Sequence, residues 1–184
     1  MQNLWNSGTN KAFRGSVAQL IIGIVGGLFA AAAALTGMFG VVLLIAVANI
    51  AAYIYFIIGI TEMKKAAVGS NLEAATQRLF IAIIVALAGV VIGLIPGGKF
   101  IAWIPSLASC ILFWTGYAMI KNNATDENAK LGGQKLCTAT LLSLIGVVVA
   151  LLPVLGAIVS LVLSIVAIVF TIQGWKAIAQ SSLE

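Results

Sequence analysis

Six stretches of about twenty residues carry almost no charge, and no other feature limits the fold of this chain so strongly. They run over 17–35, 41–60, 79–95, 100–120, 136–155 and 157–175. A helix of twenty residues rises ~30 Å, which matches the hydrocarbon core of a bilayer. The rest of the chain cannot supply a water-facing coat. Only 8% of residues are charged, against about 25% in an ordinary soluble domain, and the mean hydropathy is +1.16. The expectation is an all-α membrane protein with six transmembrane helices, a single integral domain over 1–184 whose main partner is the lipid bilayer. Lys11 and Arg14 precede the first run as in a signal peptide. That run is longer than the usual signal core of about 7–15 residues, so it reads as a retained helix.

Two markers recur with one period. Gly59, Gly116 and Gly174 lie 57 and 58 residues apart, and Gln19, Gln77 and Gln134 lie 58 and 57 apart. Each glutamine stands 39 or 40 residues before its glycine. A fixed period of this size marks tandem structural units. Three helical hairpins are therefore expected, over 17–60, 77–120 and 134–177, with linkers 61–76 and 121–133. The turns inside them are "TGMFG" (Thr36 to Gly40), "PGGKF" (Pro96 to Phe100) and "PVLGA" (Pro153 to Ala157), rich in the residues that reverse a chain. In the first linker, Ser70 and Glu73 have capping-box spacing.

Charge orients the hairpins. Lys11, Arg14, Lys64, Lys65, Arg78, Lys121, Lys130, Lys135 and Lys176 fall on the side of the termini and linkers, and only Lys99 falls on the turn side. Basic residues favour the cytoplasm, so both termini are expected there, in a multi-pass inner-membrane protein. Each hairpin ends on glycine followed by lysine, where lysines snorkel and Tyr117 and Trp175 are expected among headgroups. The net charge of +5 comes without arginine clusters or interleaved aromatics, so no nucleic-acid partner is expected.

Helices in lipid associate through small residues that let backbones approach. Ala82, Ala86, Gly89 and Gly93 form such a stripe, as do Ala139, Ser143, Gly146 and Ala150, and Gly23, Gly27, Ala30 and Ala34. Gly59, Gly116 and Gly174 each follow a small residue by seven positions (Ala52, Ser109 and Ala167), about two helical turns. These faces are the expected packing surfaces.

Catalytic and metal chemistry lacks its residues. No charge lies clearly mid-span, where ion paths and proton relays place one, and the chain has no histidine to act as general base. The expectation is a protein that is not an enzyme and carries no cofactor. Cys110 lies mid-run and Cys137 at the start of the fifth run, roughly 15 Å apart in depth at ~1.5 Å per residue. No disulfide or metal site is expected from them. Pro105 should kink the fourth helix. Among neutral polar residues, Asn49 suits an interhelical hydrogen bond. Ser160, Ser164 and Thr171 share a helix face and suit bonds to their own backbone. An axial pore lined by Asn49, Ser143 and Ser160 is the competing reading.

"GVVIGLIP" (Gly89 to Pro96) and "GVVVALLP" (Gly146 to Pro153) are followed about 20 residues later by "TGYAMIKNNA" and "QGWKAIAQ". In these segments the last two units resemble the HdeD-like family of small bacterial membrane proteins. The first unit keeps "IIGITEMKKA" but has "AAAALTG" in place of the proline segment. The resemblance implies six inner-membrane helices and an association with acid or envelope stress, and it carries over no catalytic residue. Two functions remain in view. One is a non-catalytic protein acting through helix packing, as a homo-oligomer or beside another membrane protein. The other is a channel or carrier for a small neutral solute.

Overall fold

The computed structural model describes residues 1–36, 39–95, 99–149 and 155–183. It is all-helical over these residues, with α1 Gln2–Thr36, α2 Phe39–Ala66, α3 Glu73–Leu94, α4 Lys99–Asn123, α5 Glu127–Val149 and α6 Leu155–Ala179. Five helices, α2 to α6, contain segments long and apolar enough to cross a membrane. The turn residues 37–38, 96–98 and 150–154 lie outside the described residues, as do the side chains of Gly27, Ala30, Ala34, Gly93 and Lys99.

The helices form a closed ring. Each packs on its neighbours in the chain, and α6 returns to α1. Among the described residues, the backbone of each helix packs only on its two neighbours in the ring. The closest pairings are α1 with α2, α3 with α4, and α5 with α6.

Packing is concentrated at one end of this ring, the end of the termini and linkers. Its core joins Trp5 and Ala12 of α1, Phe56, Ile60 and Met63 of α2, and Leu79 and Ile83 of α3 to Tyr117, Ile120, Leu136, Trp175 and Ile178. Toward the turns, large apolar side chains point outward, among them Phe29, Leu44, Val90, Trp103, Val147 and Leu161. A water-facing bundle would bury such residues; a lipid-facing one has no reason to.

Helix α1 starts fifteen residues before the apolar run that announces it. Its first turns are polar in composition, yet Trp5, Thr9 and Ala12 are fully buried. They recur at helical spacing and face α2 and the C-terminal tail. Trp5 Nε1 donates to Ser181 Oγ at 3.4 Å, and Lys11 pairs with Glu62. At ~1.5 Å per residue, the 35 residues of α1 span roughly 52 Å, well beyond a ~30 Å hydrocarbon core.

Local chemistry sets the helix ends. Lys64 and Lys65, Lys121, and Lys176 occupy the last turns of α2, α4 and α6, where cations complement the helix dipole. Between α2 and α3 the chain turns at Gly69, whose φ of 78° suits a residue without a Cβ. The Glu73 carboxylate accepts from Gly69 N–H at 2.7 Å, and Ser70 Oγ accepts from Leu72 N–H at 3.2 Å. The helix restarts at Glu73, so the Ser70–Glu73 pair does not form the reciprocal box its spacing suggests. Pro105 lies inside α4.

Asp126 caps α5 and also clasps the C-terminal tail. Its Oδ1 accepts from Ala129 N–H at 3.0 Å, the usual geometry of an aspartate N-cap. Its Oδ2 accepts from both the N–H and the hydroxyl of Ser182, each at 3.0 Å. Partial burial pushes the carboxyl up, but the donors from Ser182 and Ala129 outweigh it, so Asp126 titrates below its ordinary value. A depressed folded pKa stabilises above the unfolded value of about 3.9 and loses that contribution as pH falls through the folded one. The Ser182 amide should therefore be protected from hydrogen exchange at pH 7 and lose protection below about pH 4. Asp126→Ala should lose it at pH 7 as well; unchanged protection in that variant would show that the clasp does not hold the tail.

Candidate functional site

A ring of six helices whose backbones meet only their neighbours leaves space on its axis. A cavity of about 440 Å³ lies there, and every helix contributes to its wall. Ser16, Gln19 and Leu20 come from α1, Tyr53 and Phe56 from α2, and Ala86 from α3. Ser109, Cys110, Phe113 and Tyr117 come from α4, Ala139, Thr140 and Ser143 from α5, and Thr171 and Trp175 from α6. None of these residues is charged.

The floor, toward the linker end, is aromatic. Phe56 meets Trp175 edge-on at 5.5 Å between centroids, and Tyr117 meets Trp175 edge-on at 5.9 Å. Phe113 stacks on Tyr117 at 5.9 Å. Such pairs stabilise by about 0.5–1.5 kcal/mol beyond their buried area. Beneath this layer lies the packed core. Toward the turns, Ile83 is the last large side chain that is fully buried among the described residues.

The wall is neutral and mostly apolar, and three of its hydroxyls have committed protons. Ser109 Oγ donates to Ser106 O at 2.8 Å, Thr140 Oγ1 to Leu136 O at 2.9 Å, and Thr171 Oγ1 to Ala167 O at 2.8 Å. This is the back-bonding open to hydroxyls inside helices, and Ser164 makes the same bond to Ser160 O. Each oxygen keeps acceptor capacity. Gln19 supplies the complement: its Nε2 is buried and has no hydrogen-bond partner.

The residues expected to pack the helices divide into three groups. Gly59, Gly116 and Gly174 are buried, as are Ala82, Gly89, Ala139 and Gly146, together with Ala52, Ser109 and Ala167. A Cβ on Gly116 would meet Leu79 at 2.7 Å, and one on Gly174 would meet Leu136 at 2.7 Å. These leucines each stand two residues after Gln77 and Gln134. The first unit differs: Gly59 faces Gly8 and Ala12, not Leu20, which follows Gln19. The early start of α1 places a polar-looking segment, two turns upstream, against α2. Ala86 and Ser143 form the second group, on the cavity wall. In the third, Gly23 is exposed with nothing within 4 Å of a built Cβ; Gly27, Ala30, Ala34, Gly93 and Ala150 fall outside the described side chains.

Several expectations need correction. Asn49 is exposed and not on the cavity wall, because its face of α2 turns away from the ring axis. Ser160 packs beside Gly146, 3.7 Å from where a Cβ would stand, leaving only Ser143 of that trio on the cavity. Tyr117 and Trp175 are buried, not at the surface, since each follows its glycine toward the inside of the ring. Cys137 Sγ lies 3.5 Å from Trp114 O, about one turn along α4 from Cys110. The two thiols, both free, are nearer in depth than counting from the apolar runs implies, because α5 begins at Glu127.

Gln19, Tyr53, Ser109, Thr140 and Thr171 are the polar wall residues that a charge-based search passes over. The available signal was a glutamine inside an otherwise apolar stretch. No family model, curated protein or solved structure matches this chain, so what the cavity does follows from its geometry alone.

Proposed function

We propose that this is a non-catalytic, multi-pass inner-membrane protein whose axial cavity takes up a small neutral solute, as a channel or carrier. Six helices cross the bilayer as three hairpins with termini and linkers in the cytoplasm. The nine-to-one distribution of basic residues supports that orientation. The observation that carries the function is the wall itself: hydroxyls, an amide and aromatic rings from five helices, with Ala86 from α3 and no charged group. A charged substrate would need a counter-charge at this depth.

The close-approach glycines argue against placing the function in assembly. Gly8, Gly59, Gly132, Gly133 and Gly174 each face backbone of a neighbouring helix in the same chain. Their shape complementarity is already used to build the ring.

Stopped-flow light scattering on proteoliposomes tests the proposal. Glycerol or urea should enter vesicles holding the wild-type protein several times faster than empty ones. Ala86→Phe, which fills the cavity from α3, should return the rate to that of empty vesicles. Equal rates with and without wild-type protein would remove the proposal and return weight to a role in assembly.

A further inference from the structure

We infer that the cavity is a binding site for a neutral molecule bearing an amide or hydroxyl group on a small apolar body, with the Gln19 amide as its anchoring donor. The inference rests on the neutral-solute reading and adds the chemistry of the ligand to it.

Gln19 carries the first part. A buried amide N–H without an acceptor costs about 1–3 kcal/mol, and buried polar groups in folded proteins are nearly always satisfied. Gln19 lines the cavity, and its Nε2 stands in this state just behind the wall. A turn of the side chain brings the amide to the cavity, where a ligand oxygen that accepts from it removes the cost. An amide carbonyl or an alcohol oxygen does so while staying neutral, and a carboxylate would accept equally well but bring an uncompensated charge into a wall without cations.

The hydroxyls carry the second part. With their protons directed to Ser106, Leu136 and Ala167 carbonyls, Ser109, Thr140 and Thr171 present oxygen lone pairs to the cavity. They match a ligand that also has a proton to donate. A ketone or ether meets only Gln19; an amide or alcohol meets both sets. The floor of Phe56, Tyr117 and Trp175, with Phe113 beside it, takes the apolar or planar remainder. The cavity volume is at the lower end of small-molecule sites, about 300–1,000 Å³, which limits the ligand to one ring or a short chain.

Cys110 on the same wall reports occupancy. The protein in nanodiscs, with Cys137→Ser to leave one thiol, is alkylated with N-ethylmaleimide in the presence of benzamide, benzoate or ethylbenzene. Benzamide should slow alkylation saturably, by about fivefold or more, while the other two leave the rate within about 1.5-fold. Gln19→Leu should weaken benzamide protection about tenfold with no loss of thermal stability, since it removes an unsatisfied buried group; a merely structural glutamine would lower the stability instead. Protection by benzoate or ethylbenzene equal to that by benzamide overturns the ligand class. Benzamide protection that survives Gln19→Leu overturns the anchor. If glycerol or urea flux persists while benzamide gives no protection, the ligand class fails and the neutral-solute reading stands. If flux and protection are both absent, the two fall together, and protection without flux makes the protein a receptor for this class, not a conduit.

Discussion

Gly59→Ala should destabilise this protein by about 3 kcal/mol, at the upper end of what overpacking costs, although it adds one methyl group to an excellent helix former. The added Cβ would lie 2.7 Å from Gly8 O and 2.9 Å from Ala12 Cα. Both are backbone atoms of α1, and a backbone inside a helix cannot step aside as a side chain can. The two helices must separate, and the buried layer of Trp5, Ile60 and Met63 loosens with them. Two controls isolate the cause. Gly23→Ala meets nothing within 4 Å and should change stability by less than about 0.5 kcal/mol. Gly89→Ala meets Pro105 Cγ at 3.3 Å, a contact that a small shift relieves, and should fall between them. Thermal unfolding in a mild detergent ranks the three; equal midpoints for Gly59→Ala and Gly23→Ala would mean that the N-terminal half of α1 does not lie on α2.

Trp175→Ala should cost about 3–5 kcal/mol, the usual range for deleting a buried aromatic. Trp175 is 1% exposed and is the ring that both Phe56 and Tyr117 meet edge-on. Its loss removes the keystone of the cavity floor. Trp103→Ala is the matched control, because Trp103 is 58% exposed and should be nearly neutral. The floor also seals the cavity, so a second readout is independent of stability. In the Cys137→Ser background, a charged, membrane-impermeant thiol reagent applied from the linker side should reach Cys110 in Trp175→Ala and not in the parent. Equal protection of Cys110 in both would show that the seal lies elsewhere.

The helices themselves were legible because lipid-length apolar runs admit little else, and α2 to α6 follow those runs to within a few residues at most ends. The exceptions are the polar flanks, where α1 begins at Gln2, α2 continues to Ala66, α3 begins at Glu73 and α5 at Glu127. There the apolar run marks only the part of the helix suited to lipid, and tertiary contacts recruit the flanking residues. Glu127 sits behind an aspartate cap that hydropathy does not register, and Trp5, Gly8, Ala12 and Gly15 form a stripe inside a segment of polar composition. The cavity was half legible. Ser143 could be named from its spacing, but Asn49 could not be assigned to the inside or outside of a ring whose closure depends on α6 meeting α1.

Chain composition, by itself, determined an all-helical protein with long apolar segments and with basic residues gathered at one end. These are properties of single helices, set by hydropathy and by where charge can remain in water. The tertiary structure alone decided which face of each helix turns inward. Between helices this apolar that choice is made by steric fit, and the identity of the opposing atoms, Ala12 for Gly59 and Leu136 for Gly174, is not encoded in the hydropathy of either helix. The unpartnered amide of Gln19 and the aromatic floor beneath it exist only once six helices have closed around one axis.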